Sequence, residues 1–260
     1  MPELADVEGF RRDLVRALPG RRVRGVDVRD AGVLRNTSAR SLARNLTGRT
    51  FGRPRRHGKW LILPTDGPAL LVHSGMTGKP YYVDGDDDTK HVRLVIELDR
   101  GQFRYADLRK LRGVWLLPTE DDIGEVTGAQ GPDALHVDLR TFRELLRGRR
   151  GRLKPTLMDQ AVIAGLGNLL VDEILWRTRL SPQLPVSALS DDDVRRLHES
   201  MRRVLDTAVR HGRVPDLPRW LTGNRDTADP TCPRCGTRLA RGRIAGRTSV
   251  WCPHCQPDHG

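Results

Sequence analysis

The sequence predicts an α+β protein: a β-sandwich with flanking helices in the first half, helices in the second, and a small cysteine-bearing hairpin at the end. Three observations carry this. Short segments between Val23 and Leu117 read with period two, the mark of strands that bury one face. From Leu139 to Ala208 the apolar residues recur at helical spacing instead. The only four cysteines of the 260-residue chain, Cys232, Cys235, Cys252 and Cys255, form C-x2-C-x16-C-x2-C near its end.

The elements follow in chain order. Over residues 3–18, Val7, Phe10, Leu14 and Ala17 share one face at helical spacing, and Pro19-Gly20 stop the run. Strands are then expected at Val23 to Val28, Trp60 to Leu63, Leu70 to His73, Val92 to Leu98, Phe103 to Tyr105 and Val114 to Leu117. In the fourth of these, Val92, Leu94, Ile96 and Leu98 alternate with Arg93, Val95 and Glu97, as expected of a half-buried antiparallel strand. Gly124 to Val137, with its glycines and Pro132, reads as a connection. Helices are expected around Leu139 to Leu146, Leu169 to Leu175 and Val194 to Ala208, the last capped by Ser190 with Asp191 to Asp193 in its first turn. Ala164-Gly165-Leu166-Gly167-Asn168 is too glycine-rich for a helix interior. It reads as a helix connector, or as a turn whose N–H groups at a helix start receive a phosphate. Residues 212–231 read as a Pro/Gly/Asp linker. The resulting boundaries are 1–124 for the N-terminal domain, 125–138 for a linker, 139–222 for the helical domain and 228–257 for the cysteine hairpin.

Four thiolates in two Cys-Pro-X-Cys turns supply soft tetrahedral ligands on both sides of one ion, so the quartet points to a single structural Zn²⁺. A catalytic zinc needs an open position, which four cysteines close. His254 and His259 are then superfluous as ligands and are expected to be solvated or to face phosphate. The disulfide alternative needs an oxidising compartment. Residues 1–30 carry no apolar signal segment and no membrane-spanning run follows, so the expectation is a cytoplasmic protein with no membrane partner. The 45 Lys+Arg against 33 Asp+Glu leave a formal charge of +12, which favours a polyanionic partner. An arginine-rich proteome would give a similar excess, but joined to a zinc module the charge points to nucleic acid.

The chain opens Met1-Pro2-Glu3, and a small second residue normally permits removal of the initiator methionine. The terminus would then be the secondary amine of Pro2, which titrates near the α-amino range of about 7.7–8.0 and is partly unprotonated at neutral pH. Such an amine can attack a sugar C1′, and its adduct is a charged iminium, an electron sink for eliminating phosphate. Glu3 is placed to act as general acid and base. On these two residues alone, a helix start is the commoner role.

The wider set of motifs changes that weighting. Pro2-Glu3-Leu4 with Val7-Glu8, Gly58-Lys59-Trp60-Leu61, His73-Ser74-Gly75-Met76-Thr77-Gly78, Asp107-Leu108-Arg109-Lys110, Lys154-Pro155 through Met158-Asp159-Gln160, Gly165-Leu166-Gly167-Asn168, Asp172-Glu173 and the cysteine hairpin occur in one order. Together they resemble the formamidopyrimidine-DNA glycosylase and endonuclease VIII family of bifunctional base-excision repair enzymes, over nearly the whole chain. The resemblance implies an N-terminal β-sandwich, then a helix-two-turn-helix domain with a zinc finger, with damaged double-stranded DNA lying between them and a monomer as the acting form. It implies catalytic roles for Pro2 as nucleophile, Glu3 as acid and base, and Lys59 at the phosphate near the lesion. It makes Asn168 and Arg247 a phosphate clamp around an extruded nucleotide. Met76 would fill the vacated space, Arg109 would face the orphaned base, and Leu111 would stand where an aromatic wedge is usual.

Several residues depart from the family pattern. Ala5 replaces a usual proline, Asp6 a usual glutamate, Ser74 a leucine and Leu108 a proline. The stretch before Cys232 is short for the loop that caps oxidised guanine. The expected substrates are therefore oxidised pyrimidines, ring-opened purines or bulky adducts, with 8-oxoguanine not the best. A non-cutting damaged-DNA binder of the same fold is the alternative, and an RNA-binding zinc ribbon a weaker one. Pro2, Glu3 and Lys59 together favour the enzyme.

Overall fold

The structure, a computed structural model, describes residues 2–85 and 87–257. It divides into two compact units, Met1–Pro2 with Asp6–Gly128 and Glu3–Ala5 with Ala129–Gly260. The chain thus crosses between units within its first residues, which the sequence pattern does not announce.

In the first unit, α1 (Leu4–Ala17) leads into β1 (Val23–Val28). Val7, Leu14 and Leu18 are buried on its inner face, whereas Phe10 and Ala17 are only half-buried. After α2 (Ala39–Leu46) come β2 (Arg55–His57), β3 (Trp60–Leu63), β4 (Ala69–His73), β5 (Lys79–Val83), β6 (Val92–Leu98), β7 (Gln102–Ala106) and β8 (Gly113–Leu117). They form two antiparallel four-stranded sheets, ordered β1-β6-β7-β5 and β2-β3-β4-β8. Leu94, Ile96 and Phe103 of the first sheet share a core with Leu61, Leu63, Leu70 and Val72 of the second, which is the expected sandwich. Val95 is buried as well, so β6 is covered on both faces over part of its length rather than alternating cleanly.

Gly124 to Val137 is not wholly a connection. α3 (Ile123–Thr127) lies within its start, because Ile123 and Val126 cover Trp60, Ile62, Leu71, Trp115 and Leu117 on the outer face of the second sheet. A helix of five residues leaves too little periodicity to be recognised in sequence.

The second unit contains α4 (Leu139–Leu146), α5 (Leu153–Met158), α6 (Asn168–Thr178), α7 (Asp191–His211) and a hairpin of β9 (Ala240–Ile244) and β10 (Arg247–Trp251). Ser190 caps α7 with a full capping box to Asp193, as its sequence predicts. Gly212 ends it in the left-handed conformation, φ 65°. α4 and α6 also lie where expected, and Leu4 and Ala5 belong to the core of this helical unit. Residues 212–231 are not a free linker. Trp220, Leu221, Thr222 and Arg225 are buried, and Leu221 packs with Trp176, Leu239, Val250 and Cys252 beneath the hairpin. Among the described residues no helix is long and apolar enough to cross a membrane.

Candidate active site and nucleic-acid interface

In the second unit the site is built around the start of α6. Glu3 is fully buried, and its carboxylate accepts the N–H of Leu169 at 2.7 Å and of Leu170 at 3.2 Å. These are first-turn N–H groups, otherwise without intrahelical acceptors and at the positive end of the helix. The glycine-rich turn before α6 therefore presents N–H groups as expected, and Glu3 accepts two of them, those of Leu169 and Leu170. Gly167 makes room: a Cβ there would stand 2.3 Å from Glu3 Cδ. Leu4 N–H donates to the Gly165 carbonyl at 3.2 Å, fixing the backbone beside Glu3. No local cue in the sequence relates Glu3 to a helix more than 160 residues away.

Behind this turn lies a buried polar cluster whose members give no sign in the sequence of their pairing. Lys154 on α5 reaches Asp172 on α6 at 2.5 Å and the Ser249 hydroxyl on β10 at 2.6 Å. Asp172 also accepts from Arg225 at 2.9 Å and from the Val250 N–H at 3.2 Å. One carboxylate thus joins α5, α6, the 212–231 stretch and the hairpin. Burial pushes the Lys154 ammonium down and the Asp172 carboxyl up, and their mutual attraction opposes both shifts. Next along α6, Glu173 accepts from the Leu221 N–H at 2.8 Å and pairs with Arg177 at 2.7 Å, while burial pushes its carboxyl up to about 7.

The hairpin turns through Ala245 and Gly246, both at positive φ, the tight two-residue connection that matches strand twist. Arg247 follows directly and is exposed at the tip. Asn168 Nδ2 donates to the carbonyl of Thr248 at 2.8 Å, so the two residues expected to clamp phosphate are brought to adjoining positions.

Cys232, Cys235, Cys252 and Cys255 place their sulfurs within 4.8 Å of one another. The Cys232–Cys255 and Cys235–Cys252 separations are 3.9 and 3.5 Å. A tetrahedral Zn²⁺ with bonds of about 2.3 Å sets its sulfurs about 3.8 Å apart, so the quartet fits one structural zinc. Donors orient the ligands: Trp176 Nε1 points at Cys232 Sγ at 3.3 Å, and the Arg234 and Cys255 N–H groups point at Cys232 and Cys252. His254 is exposed, and His259 lies outside the described residues.

In the first unit Pro2 is half-buried ahead of α1. Lys59 occupies the turn between β2 and β3, where Gly58 has φ 55°. Glu8 of α1 pairs with the buried Arg56 at 3.0 Å, and Arg56 donates to the Gly58 carbonyl at 2.9 Å, which pins that turn to the helix. His73 ends β4 edge-on to Trp60, and its Nδ1 accepts the Gly75 N–H at 3.0 Å. Burial, with Arg112 and Lys59 nearby, holds the imidazole down at about 4, so it is neutral and able to accept.

The loops after β4 and β7 are tied together. Thr77 Oγ1 donates to Asp107 Oδ1 at 2.5 Å, and the Arg109 N–H donates to both groups, at 3.0 and 3.1 Å. Met76 and Leu111 are 37% and 52% exposed, and Arg109 is exposed between them in sequence order. Leu108, noticed in the sequence only as a departure from proline, is more exposed than either, at 57%.

Comparison with known proteins matches three family models along the chain: the formamidopyrimidine-DNA glycosylase N-terminal domain over residues 1–114, its H2TH domain over 129–215, and the zinc finger found in FPG and IleRS over 230–257. A formamidopyrimidine-DNA glycosylase of Pelotomaculum thermopropionicum is 32% identical, with 98% of this chain and 99% of that protein aligned. One of Thermomicrobium roseum is 35% identical over the full length of both. The crystal structure of the Lactococcus lactis enzyme bound non-covalently to DNA containing an AP site superposes with a TM-score of 0.85 at 29% identity, covering 99% of this chain and 100% of that one. The chain therefore belongs to the formamidopyrimidine-DNA glycosylase family of base-excision repair enzymes, which unite DNA N-glycosylase and AP lyase activities.

Proposed function

We propose that this chain excises a damaged base from duplex DNA through a Schiff base on Pro2 and then cuts the strand by β,δ-elimination, acting as a monomer. The secondary amine of Pro2 attacks C1′ as the glycosidic bond breaks and the base departs with a proton. Glu3 protonates the sugar ring oxygen as the ring opens to the iminium. The Glu3 carboxylate so formed takes a C2′ proton as the 3′ phosphate leaves, loss of the C4′ proton then expels the 5′ phosphate, and water hydrolyses the remaining iminium to release the enzyme. Lys59 supplies positive charge to the phosphate beside the lesion. The observation that carries the reading is Glu3 itself, adjacent to the reactive amine, removed from solvent and held by two backbone donors.

Borohydride reduction during incubation with abasic-site duplex is expected to give a covalent protein–DNA complex that vanishes in Pro2→Gly. Edman sequencing that begins at Met1, or trapping that survives the substitution, overturns the chemistry.

Asn168 and Arg247 grip the phosphates flanking the extruded nucleotide, while Met76, Arg109 and Leu111 occupy the space it leaves. For Arg247→Ala, affinity is expected to fall and the slope of log K against log salt to become shallower by about one phosphate contact, roughly 0.9. Unchanged affinity at every salt concentration counts against the clamp. The substrate range favours oxidised pyrimidines, ring-opened purines or bulky adducts over 8-oxoguanine. What supports this is the short 212–231 stretch, held down on α6 through Leu221 and Arg225 and so poorly suited to fold over a base. Fastest excision of 8-oxoguanine opposite cytosine would contradict it.

A further inference from the structure

Across the described residues, the large apolar side chains left exposed are Met76, Leu108 and Leu111. A single exposed leucine needs no explanation, but three on two hydrogen-bonded loops form a patch. The proposed function uses Met76 and Leu111 and leaves Leu108, the most exposed of them, without a role.

The backbone around Leu108 is rigidly built. Asp107 is only 1% exposed, and its carboxylate is held by the Tyr105 hydroxyl at 3.1 Å and the Thr77 hydroxyl at 2.5 Å. The same carboxylate accepts the Arg109 N–H two residues on, closing an Asx turn with Leu108 at its apex. Arg93 Nε donates to the Asp107 carbonyl at 3.0 Å, and Arg35 holds the far side of the loop through the Arg112 carbonyl at 2.6 Å. An apolar side chain at the tip of a fixed turn has already lost the backbone freedom that binding would remove. The exposed Arg109 and Arg112 lie in the same loop, so the patch combines apolar surface with positive charge, the combination suited to a kinked duplex.

We propose that Leu108 is a third apolar wedge, inserted at the base step next to the vacated position and setting how far that step is unstacked. This rests on the proposed function for the location of the lesion. The test uses the full-length zinc-loaded protein and a duplex carrying a tetrahydrofuran abasic analogue, with 2-aminopurine at the adjacent pair. Leu108→Ala is expected to reduce the fluorescence rise on binding and to weaken affinity for this duplex about five- to tenfold, as for loss of one buried aliphatic side chain. Affinity for undamaged duplex should hold, and Leu108→Met should restore the signal. Unchanged fluorescence and affinity in Leu108→Ala overturn the wedge, as does an equal loss on undamaged duplex, which would mark a general contact. Borohydride trapping through Pro2 is read in parallel. Intact trapping with no Leu108 effect removes the wedge and leaves the chemistry; absent trapping with a Leu108 effect does the reverse.

Discussion

Gly167→Ala is expected to lower single-turnover base excision and strand cleavage by about 10²–10⁴-fold, the usual contribution of a positioned acid–base group, at temperatures where the variant is still folded and zinc-loaded. Stability falls by about 1–3 kcal/mol as two first-turn N–H groups lose their acceptor. The backbone does not resist this change, because φ at Gly167 is −124°, a value any residue adopts. The new methyl group is the obstacle. It would stand 2.3 Å from Glu3 Cδ and 2.6 Å from each carboxylate oxygen. Glu3 must then leave the N–H groups of Leu169 and Leu170, and the acid–base group of the proposed mechanism is displaced. Gly124→Ala is the control, since a Cβ at that position meets nothing within 4 Å. Rates at parent level in Gly167→Ala would show that the position of the carboxylate does not matter.

This arrangement marks a limit of what the sequence reveals. The cysteine quartet was legible because metal geometry dictates short spacings within each ligand pair. The long strands and α7 were legible because burial of one face imposes a period. β2 reads Arg-Arg-His and β5 begins Lys-Pro, so neither offers an apolar alternation, and pairing to neighbours rather than propensity makes them strands. α5 is six residues with Pro155 inside its first turn, too short for periodicity to register. The glycine-rich turn showed that something comes close to its backbone but not what. That Glu3 fills it depends on the first residues joining the core of the second unit, a long-range event that leaves no local trace. The 212–231 stretch misled for a related reason: its composition is that of a linker, while Trp220, Leu221 and Arg225 are anchored by partners distant in sequence.

Asp172→Ala is expected to cost about 3–5 kcal/mol in the stability of the second unit, the range for breaking a buried ion pair from one side. Its carboxylate is the shared partner of Lys154 and Arg225, whose side chains are 0% and 5% exposed. Removing it leaves two buried cations without their shared partner, the remaining counter-charge being the exposed Asp226 at 3.8 Å from Arg225 and the more remote Glu3 for Lys154. Lys154→Met should cost clearly less, because the Arg225–Asp172 pair survives and an apolar side chain of similar length fills the space. The asymmetry separates an electrostatic cluster from mere packing, which would predict the larger loss for the larger side chain. Urea titration followed by release of zinc to a chromophoric chelator reads the second unit selectively. The loss should also reach DNA binding at urea concentrations where the variant is still folded. Asp172 holds the Val250 N–H, and Lys154 holds Ser249, so these contacts set the register of the strand that begins with Arg247. Asp172→Ala should therefore share the shallower salt slope of Arg247→Ala, whereas equal destabilisation by Asp172→Ala and Lys154→Met would show that the cluster is held by shape rather than charge.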